Sequence, residues 1–334
     1  MPEKNLPELI TLKRLIDEGG RHLEVGTPHT VQMDGRQFPV YTIALGNPSP
    51  EVPALGFFGG IHGLERIGTQ VVLSFLESLL ARLRWDATLH QQLESMRLVF
   101  MPLVNPGGMW QATRCNPQGV DLMRNAPLSA VERVPFMLGG QRYSHHLPWY
   151  RGAEGAPMEP ESQAVCETVQ RELLPRRFSM ALDCHSGFGL RDRIWFPHAH
   201  TTTPIPHLAD IGALEELFST AYPNHNYVFE PQSRQYRTHG DLWDYLYLNS
   251  DHVFLPLTLE MGSWLWVKKN PRQIFDRIAI FNPTARHRLQ RVLRRHLILF
   301  DFLMRAASSH GRWTPEGMAR KVQHRRALAQ WYHT

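Results

Sequence analysis

Residues 54–80, ALGFFGGIHGLERIGTQVVLSFLESLL, decide the fold class. The opening apolar run, 54–58, has the length and content of a buried strand and stops at Gly59-Gly60. Val71, Val72, Phe75, Leu76, Leu79, Leu80 and Leu83 then recur at helical spacing. Between strand and helix lies a turn that carries His62 and Glu65, three residues apart. Gly59, Gly60 and Gly63 let that turn bend tightly, because glycine has no Cβ to clash.

The same alternation runs outward in both directions. Upstream, 7–18 reads as a short amphipathic helix ended by Gly19-Gly20, and 22–45 as two or three strands around an Asp34-Gly35 turn. Downstream, 97–104 is a buried strand followed by a long loop rich in Pro, Gly, Asn and Arg. A helix over 160–174, strands over 178–182 and 194–197, and a helix over 207–221 follow. Residues 253–259 make a late apolar strand, which Pro256 argues against, and 282–307 a long terminal helix. This order predicts an α/β fold with a mixed, largely parallel sheet. Functional groups in such sheets sit just beyond the carboxyl ends of strands. His62 and Glu65 follow one strand there, Asn105 the next and His185 another, while Glu260 closes the last.

Composition narrows the class. Of 334 residues, 43% are hydrophobic and 20% charged, far from a disordered or membrane protein. No run approaches the roughly 20 apolar residues of a membrane span, and the first twenty residues lack the pattern of a signal peptide. Three scattered cysteines, Cys115, Cys166 and Cys184, do not make a disulfide framework, so a cytoplasmic location is expected. Much of the net charge of +5 comes from Arg286, Arg288, Arg291, Arg294 and Arg295 and from Arg320, Lys321, Arg325 and Arg326. The first group shares helical turns with an apolar stripe of Leu289, Val292, Leu293, Leu297 and Phe300, the pattern of a solvated face. No nucleic-acid motif accompanies the charge, and neither a nucleic-acid nor a membrane partner is expected.

One imidazole and one carboxylate on a glycine turn supply two corners of a tetrahedral zinc site, and His185, in LDCHSGFG, supplies a third. Two His and one Glu, with a position left for water, is a hydrolytic ligand set. An isolated H-x-x-E means little, and a lone His185 is more often structural. Their placement at successive strand ends is what carries weight. Asp183, two residues before His185, reads equally as an orienter of its imidazole or as a cap on the loop. His145-His146 and the pair His198 and His200 compete for a metal, but no carboxylate stands at a matching interval.

The ordered motifs H-G-x-E, N-P-G-G-M with R-x-N and G-V-D-L-M-R-N, D-C-H-S-G, Y-x-x-x-G and T-L-E, between Gly59 and Gly262, resemble the carboxypeptidase A-like zinc carboxypeptidases. The resemblance implies a single α/β domain with a twisted sheet of about eight strands between helices. In that frame, 1–50 belong to the same domain, 51–307 are catalytic and 308–334 form a basic C-terminal tail. It implies one zinc ion on His62, Glu65 and His185, with Glu260 as general base and proton shuttle. Arg114 would polarise the scissile carbonyl, Arg124 would clamp the substrate's terminal carboxylate, and Tyr236 would close over it. Asn105 would bind substrate alongside them. Asp241 and Trp243 fall where the pocket for the terminal side chain is expected: the acid would suit a basic or diamino acid end, the indole an apolar one.

Two positions depart from the family pattern. Met123 replaces an asparagine that helps hold the terminal carboxylate, and Leu64 stands where digestive members have an arginine. The leading reading is a metallocarboxypeptidase acting on short peptides, such as cell-wall-derived fragments. The alternatives are a zinc amide hydrolase acting on N-acyl amino acids or small conjugates, and a non-catalytic binding module built on the metal site. Oligomeric state is not legible.

Overall fold

In chain order the computed structural model, which describes residues 6–332, has α1 (Pro7–Gly19), β1 (Glu24–Met33), β2 (Arg36–Gly46), β3 (Ala54–Gly59), α2 (Arg66–Arg82), α3 (Ala87–Glu94), β4 (Arg97–Met101) and α4 (Pro106–Gln111). It continues with α5 (Pro160–Glu172), β5 (Phe178–Ser186), β6 (Arg193–Phe196), α6 (Leu208–Ala221), β7 (Val228–Pro231), α7 (Leu242–Leu248), β8 (Val253–Met261), α8 (Trp264–Lys269), α9 (Arg286–Ser308) and α10 (Gly317–Trp331). The outermost parts of the expected terminal segments, residues 1–5 and 333–334, lie outside the described residues.

The strands form one 8-stranded sheet in the order β1-β2-β4-β3-β5-β8-β6-β7. Its centre, β4-β3-β5-β8, is parallel, whereas β1–β2, β2–β4 and β6–β8 pair antiparallel. Every residue of β3, β4 and β5 is buried, which is why these strands read as unbroken apolar runs. The Asp34-Gly35 turn joins β1 to β2 with φ of 52° and 69°, the left-handed pair a two-residue hairpin needs.

Helices α2 and α9 pack on each other and on β3 and β5. Phe57 of β3 stacks on Phe300 of α9, with centroids 4.7 Å apart, and meets Phe75 of α2 edge-on at 5.0 Å. The basic residues of α9 stay on its outer side: Arg286, Arg291, Arg294 and Arg295 are exposed. Leu289, Val292, Leu293 and Leu297 pack against the core, and Phe300 lies within it.

The strand expected over 253–259 is present despite Pro256: β8 is central, paired with β5 along its whole length. Its other neighbour, β6, pairs only with Thr258, Leu259 and Glu260, so no ladder stands opposite Pro256 where its missing N–H would be needed. The basic segment after 307 carries a helix. Helix α10 packs on α6, Arg320 pairs with buried Asp210 at 2.7 Å, and the Trp331 indole stacks edge-on against Phe196 at 4.8 Å. Lys321, Arg325 and Arg326 are exposed on a helix that is part of the fold.

Candidate functional site

The turn after β3 brings the first two candidate ligands together. Gly60 has φ +65°, and a Cβ on Gly63 would meet the Gly108 backbone at 2.1 Å, so the turn folds hard against α4. The Nδ1 atom of His62 then lies 3.0 Å from Glu65 Oε1. His185, near the carboxyl end of β5, arrives from the adjacent strand, its Nδ1 3.0 Å from Glu65 Oε2 and 3.1 Å from His62 Nδ1. The three groups offer ligand atoms that all lie within 4.8 Å of one another.

The outer face of each imidazole is fixed. His62 Nε2 donates to Asp121 Oδ1 at 3.1 Å, and His185 Nε2 donates to Asp183 Oδ2 at 2.6 Å. A ring whose Nε2 proton is held by a carboxylate presents a bare lone pair at Nδ1. Two such lone pairs face each other here at 3.1 Å, beside a carboxylate. That juxtaposition calls for a cation between them, and an N, N, O donor set suits zinc. The residues therefore fit the metal.

The local charges follow the same logic. Burial opposes ionisation of Glu65, but the His62 and His185 imidazoles outweigh it and hold its carboxyl well below the ordinary range. Burial likewise opposes a proton on His185, yet Asp183 and Glu65 raise its proton affinity well above that of free imidazole. Both shifts express one demand for positive charge at the centre of the cluster.

Glu260 stands on β8 directly across the ladder from His185. Its Oε1 accepts the Phe188 N–H at 3.0 Å, and burial, reinforced by the Glu65 charge, pushes its carboxyl up to about 8. Arg114 reaches in from the loop after α4, its Nε donating to Asp121 Oδ2 at 2.8 Å and its Nη1 to Glu65 Oε1 at 3.2 Å. Arg124 ends a short 3-10 turn, Leu122–Arg124, and is 3% exposed, yet its Nε has no hydrogen-bond partner. Tyr236 lies against Phe188 and Trp195, each with ring centroids 5.9 Å away.

A cavity of about 230 Å³ joins these groups: His62, Glu65, His185, Glu260, Arg114, Arg124, Tyr236 and Asp241 all line it. Two of the expected substrate contacts do not. Asn105 is fully buried and spends its side chain on the turn, accepting from Gly108 N at 2.7 Å and donating to Ile61 O at 3.2 Å. Trp243 turns its indole N–H to Asp183 Oδ2 at 2.8 Å and packs edge-on against Phe58. Both support the site from behind.

Asp183 orients His185, which decides between its two sequence readings. The other histidines stand apart: His198 Nδ1 faces the Thr203 carbonyl at 2.8 Å, and His200 pairs with Asp244 at 2.5 Å. His145 and His146 lie against each other with tilted rings, centroids 3.9 Å apart.

Sequence reasoning missed Asp121. This carboxylate is wholly buried and bridges His62 to Arg114. It lies in GVDLMRN three residues before Arg124, and nothing in that spacing points back to His62.

Comparison with known proteins gives one consistent answer. A model of the zinc carboxypeptidase family matches residues 30–265. The rat carboxypeptidase N catalytic chain is 27% identical over 206 residues, covering 55% of this chain and 42% of that protein. Carboxypeptidase E of Caenorhabditis elegans is 28% identical over 171 residues, 46% of this chain and 35% of that one. The chain thus spans less than half the length of these relatives. Among solved structures, thrombin activatable fibrinolysis inhibitor superposes with a TM-score of 0.66 at 17% identity, over 89% of this chain and 73% of that one. Carboxypeptidase A from Helicoverpa armigera gives 0.59 at 15% identity, over 86% of this chain and 71% of that one. These structures share the fold.

Proposed function

Because the chain belongs to the zinc carboxypeptidase family, we propose that it removes C-terminal residues from peptides, using one zinc ion held by His62, Glu65 and His185. The observation that carries this reading is the pair of Nδ1 atoms facing each other beside Glu65 while both outer nitrogens are locked by carboxylates. Zinc in that position would supply Lewis acidity toward the scissile carbonyl and the attacking water.

Glu260 is the general base. Its unengaged oxygen takes a proton from the attacking water and passes it to the leaving amine. The buried, Glu65-facing setting that raises its proton affinity suits a group that must both receive and release a proton. Arg114, clamped by Asp121 and Glu65, presents a fixed cation to the oxygen on which charge develops. Arg124 holds the terminal carboxylate, for which its unpartnered Nε leaves hydrogen-bonding capacity. Tyr236 shields the reacting groups from water beside Phe188 and Trp195.

A second reading, hydrolysis of N-acyl amino acids or small conjugates, is favoured by Met123. That residue lines the cavity next to Arg124 and cannot donate the hydrogen bond of an asparagine. We further propose a reducing compartment such as the cytoplasm, which agrees with Cys115, Cys166 and Cys184 being free thiols.

The deciding experiment is mass spectrometry of a mixed panel incubated with zinc-loaded protein: free-ended peptides, amidated peptides, cell-wall-type peptides and N-acyl amino acids. Chelated protein and the Glu260→Gln variant are the controls. Loss of a single C-terminal residue, confined to free ends, is the expected result. Cleavage of acyl conjugates alone would transfer the assignment to the second reading.

A further inference from the structure

Helix α2 begins without a cap of its own. Glu65 occupies the N-cap position, yet its side chain makes no capping bond there. Both carboxylate oxygens turn inward instead: Oε1 meets His62 and Arg114, while Oε2 meets His185 and accepts the Ser186 N–H at 2.9 Å. The first N–H groups of a helix have no partner within it, so a cap residue turned elsewhere leaves them to be satisfied from outside.

Asn282 does this from the segment between α8 and α9. Its Oδ1 accepts the N–H of Ile67, the second residue of α2, at 2.9 Å. Accepting from that position is the work of an N-cap side chain, and asparagine is among the residues best suited to it. The Nδ2 of the same amide donates to the carbonyls of Leu64 and Ile278, at 2.7 Å each. Leu64 and Ile67 bracket Glu65, so one side chain grips the backbone on both sides of a proposed ligand. Asn282 is itself held, its carbonyl accepting from the buried Gln273 Nε2 at 3.2 Å. The residue before it completes the clasp: the Phe281 carbonyl accepts the hydroxyl of Ser186, next to His185, at 2.8 Å.

We propose that Asn282 is a positioning residue for the metal site: it caps α2 in place of Glu65, which leaves the Glu65 carboxylate free to serve as a ligand and fixes the backbone that carries it. This rests on the zinc reading and deepens it, for Asn282 is not among the residues that line the cavity and acts through Glu65. Without it, the orphaned Ile67 N–H would compete with the metal for the carboxylate that stands at its own N-cap.

Zinc affinity, measured by chelator competition, tests this in the wild-type protein, Asn282→Ala, Asn282→Asp and Trp331→Ala. The alanine variant should bind about 10- to 100-fold more weakly, as happens when a partner behind a metal ligand is removed. Aspartate keeps a capping oxygen and should restore affinity to within about fivefold of wild type. Trp331, whose partners are Phe196 and Phe229, gives the comparison with a purely structural loss: its variant should melt earlier yet bind zinc as the wild type does. In the cobalt(II)-loaded proteins, the visible spectrum should change in Asn282→Ala and not in Trp331→Ala.

An affinity of Asn282→Ala within about threefold of wild type would overturn the positioning role while leaving the zinc site standing. A wild-type protein that takes up no zinc would overturn the ligand reading and this role with it. Should the alanine variant not fold, hydrogen exchange of the Ile67 amide in the wild-type protein still decides. Slow exchange is expected of a capped N–H, and exchange as fast as that of an open loop overturns the cap.

Discussion

Asp121 holds the outer nitrogen of His62 at 3.1 Å through one oxygen, while its other oxygen fixes Arg114 at 2.8 Å. One buried carboxylate therefore sets the orientation of a proposed metal ligand and the position of the arginine proposed for the oxyanion. Asp121→Asn should lower zinc affinity about 10- to 100-fold in chelator competition, as loss of a carboxylate behind a ligand histidine does. Turnover at saturating zinc should fall as well, since Arg114 loses one of its two anchors. Unchanged affinity would mean that the His62 ring is held by packing.

Glu260→Gln keeps the acceptor for the Phe188 N–H and removes the proposed base. Turnover should drop by about 10² to 10⁴ while bound zinc, measured by atomic absorption, stays stoichiometric. The wild-type rate should rise with pH as Glu260 ionises. A cation at the neighbouring His62, Glu65 and His185 favours the carboxylate, so that limb should lie below the value of about 8 to which burial and Glu65 push it. A variant with a near-wild-type rate would give the proton transfer to another group.

Arg124→Ala should raise KM for peptides with a free terminus by about 10²-fold, the cost of losing a charge-assisted bidentate contact, and leave amidated peptides nearly as poor as before. An equal loss on both would remove the carboxylate clamp.

Stability should depend on pH through a group remote from the site. His296 is buried in α9 with Nδ1 2.8 Å from the Tyr227 hydroxyl, and burial pushes its pKa from 6.5 down to about 4. Between those values the unfolded chain takes a proton that the folded one refuses. Folding is therefore weakened as pH falls through this window, by about 3 kcal/mol in all. Chemical denaturation at pH 7 and pH 4.5 should show the loss, and His296→Gln should flatten it. The same slope in the variant would assign acid sensitivity to other groups.

Trp331 tests whether α10 belongs to the fold. Its indole N–H bonds the Phe229 carbonyl at 2.8 Å and its ring is 4% exposed. Trp331→Ala should cost about 3–5 kcal/mol, read as a lowered Tm. A loss within experimental error would make the helix dispensable.

The parts of this molecule that were legible in its sequence are those in which local pattern and final position coincide. The apolar runs that became β3, β4 and β5 and the heptad-like spacing of α2 are local signals, and His62, Glu65 and His185 mark strand ends. What escaped depends on chain crossings. Asp121 matters through His62, 59 residues away, and Asp183 engages Trp243 across 60 residues. Asn105 looked like a contact because it follows a strand, but its side chain is consumed by the turn it closes. Pro256 looked like a breaker because the shortness of β6 is not written near it.

The rung of the ladder that pairs His185 with Glu260 joins a proposed metal ligand to the proposed base through hydrogen-bonded backbone. Neighbouring strands stand about 4.8 Å apart in any sheet, so the spacing between these two groups is inherited from pleated geometry and is indifferent to the connecting segments. A slip of one residue would instead bring Leu259 or Met261 opposite His185 and abolish the pairing outright. The reactive pair is therefore all-or-none, whereas Met123, Arg124 and Asp241 sit outside the strands and are free to drift. Diversification of this scaffold, natural or by laboratory selection, should change which ends are accepted long before it changes the bond that is broken.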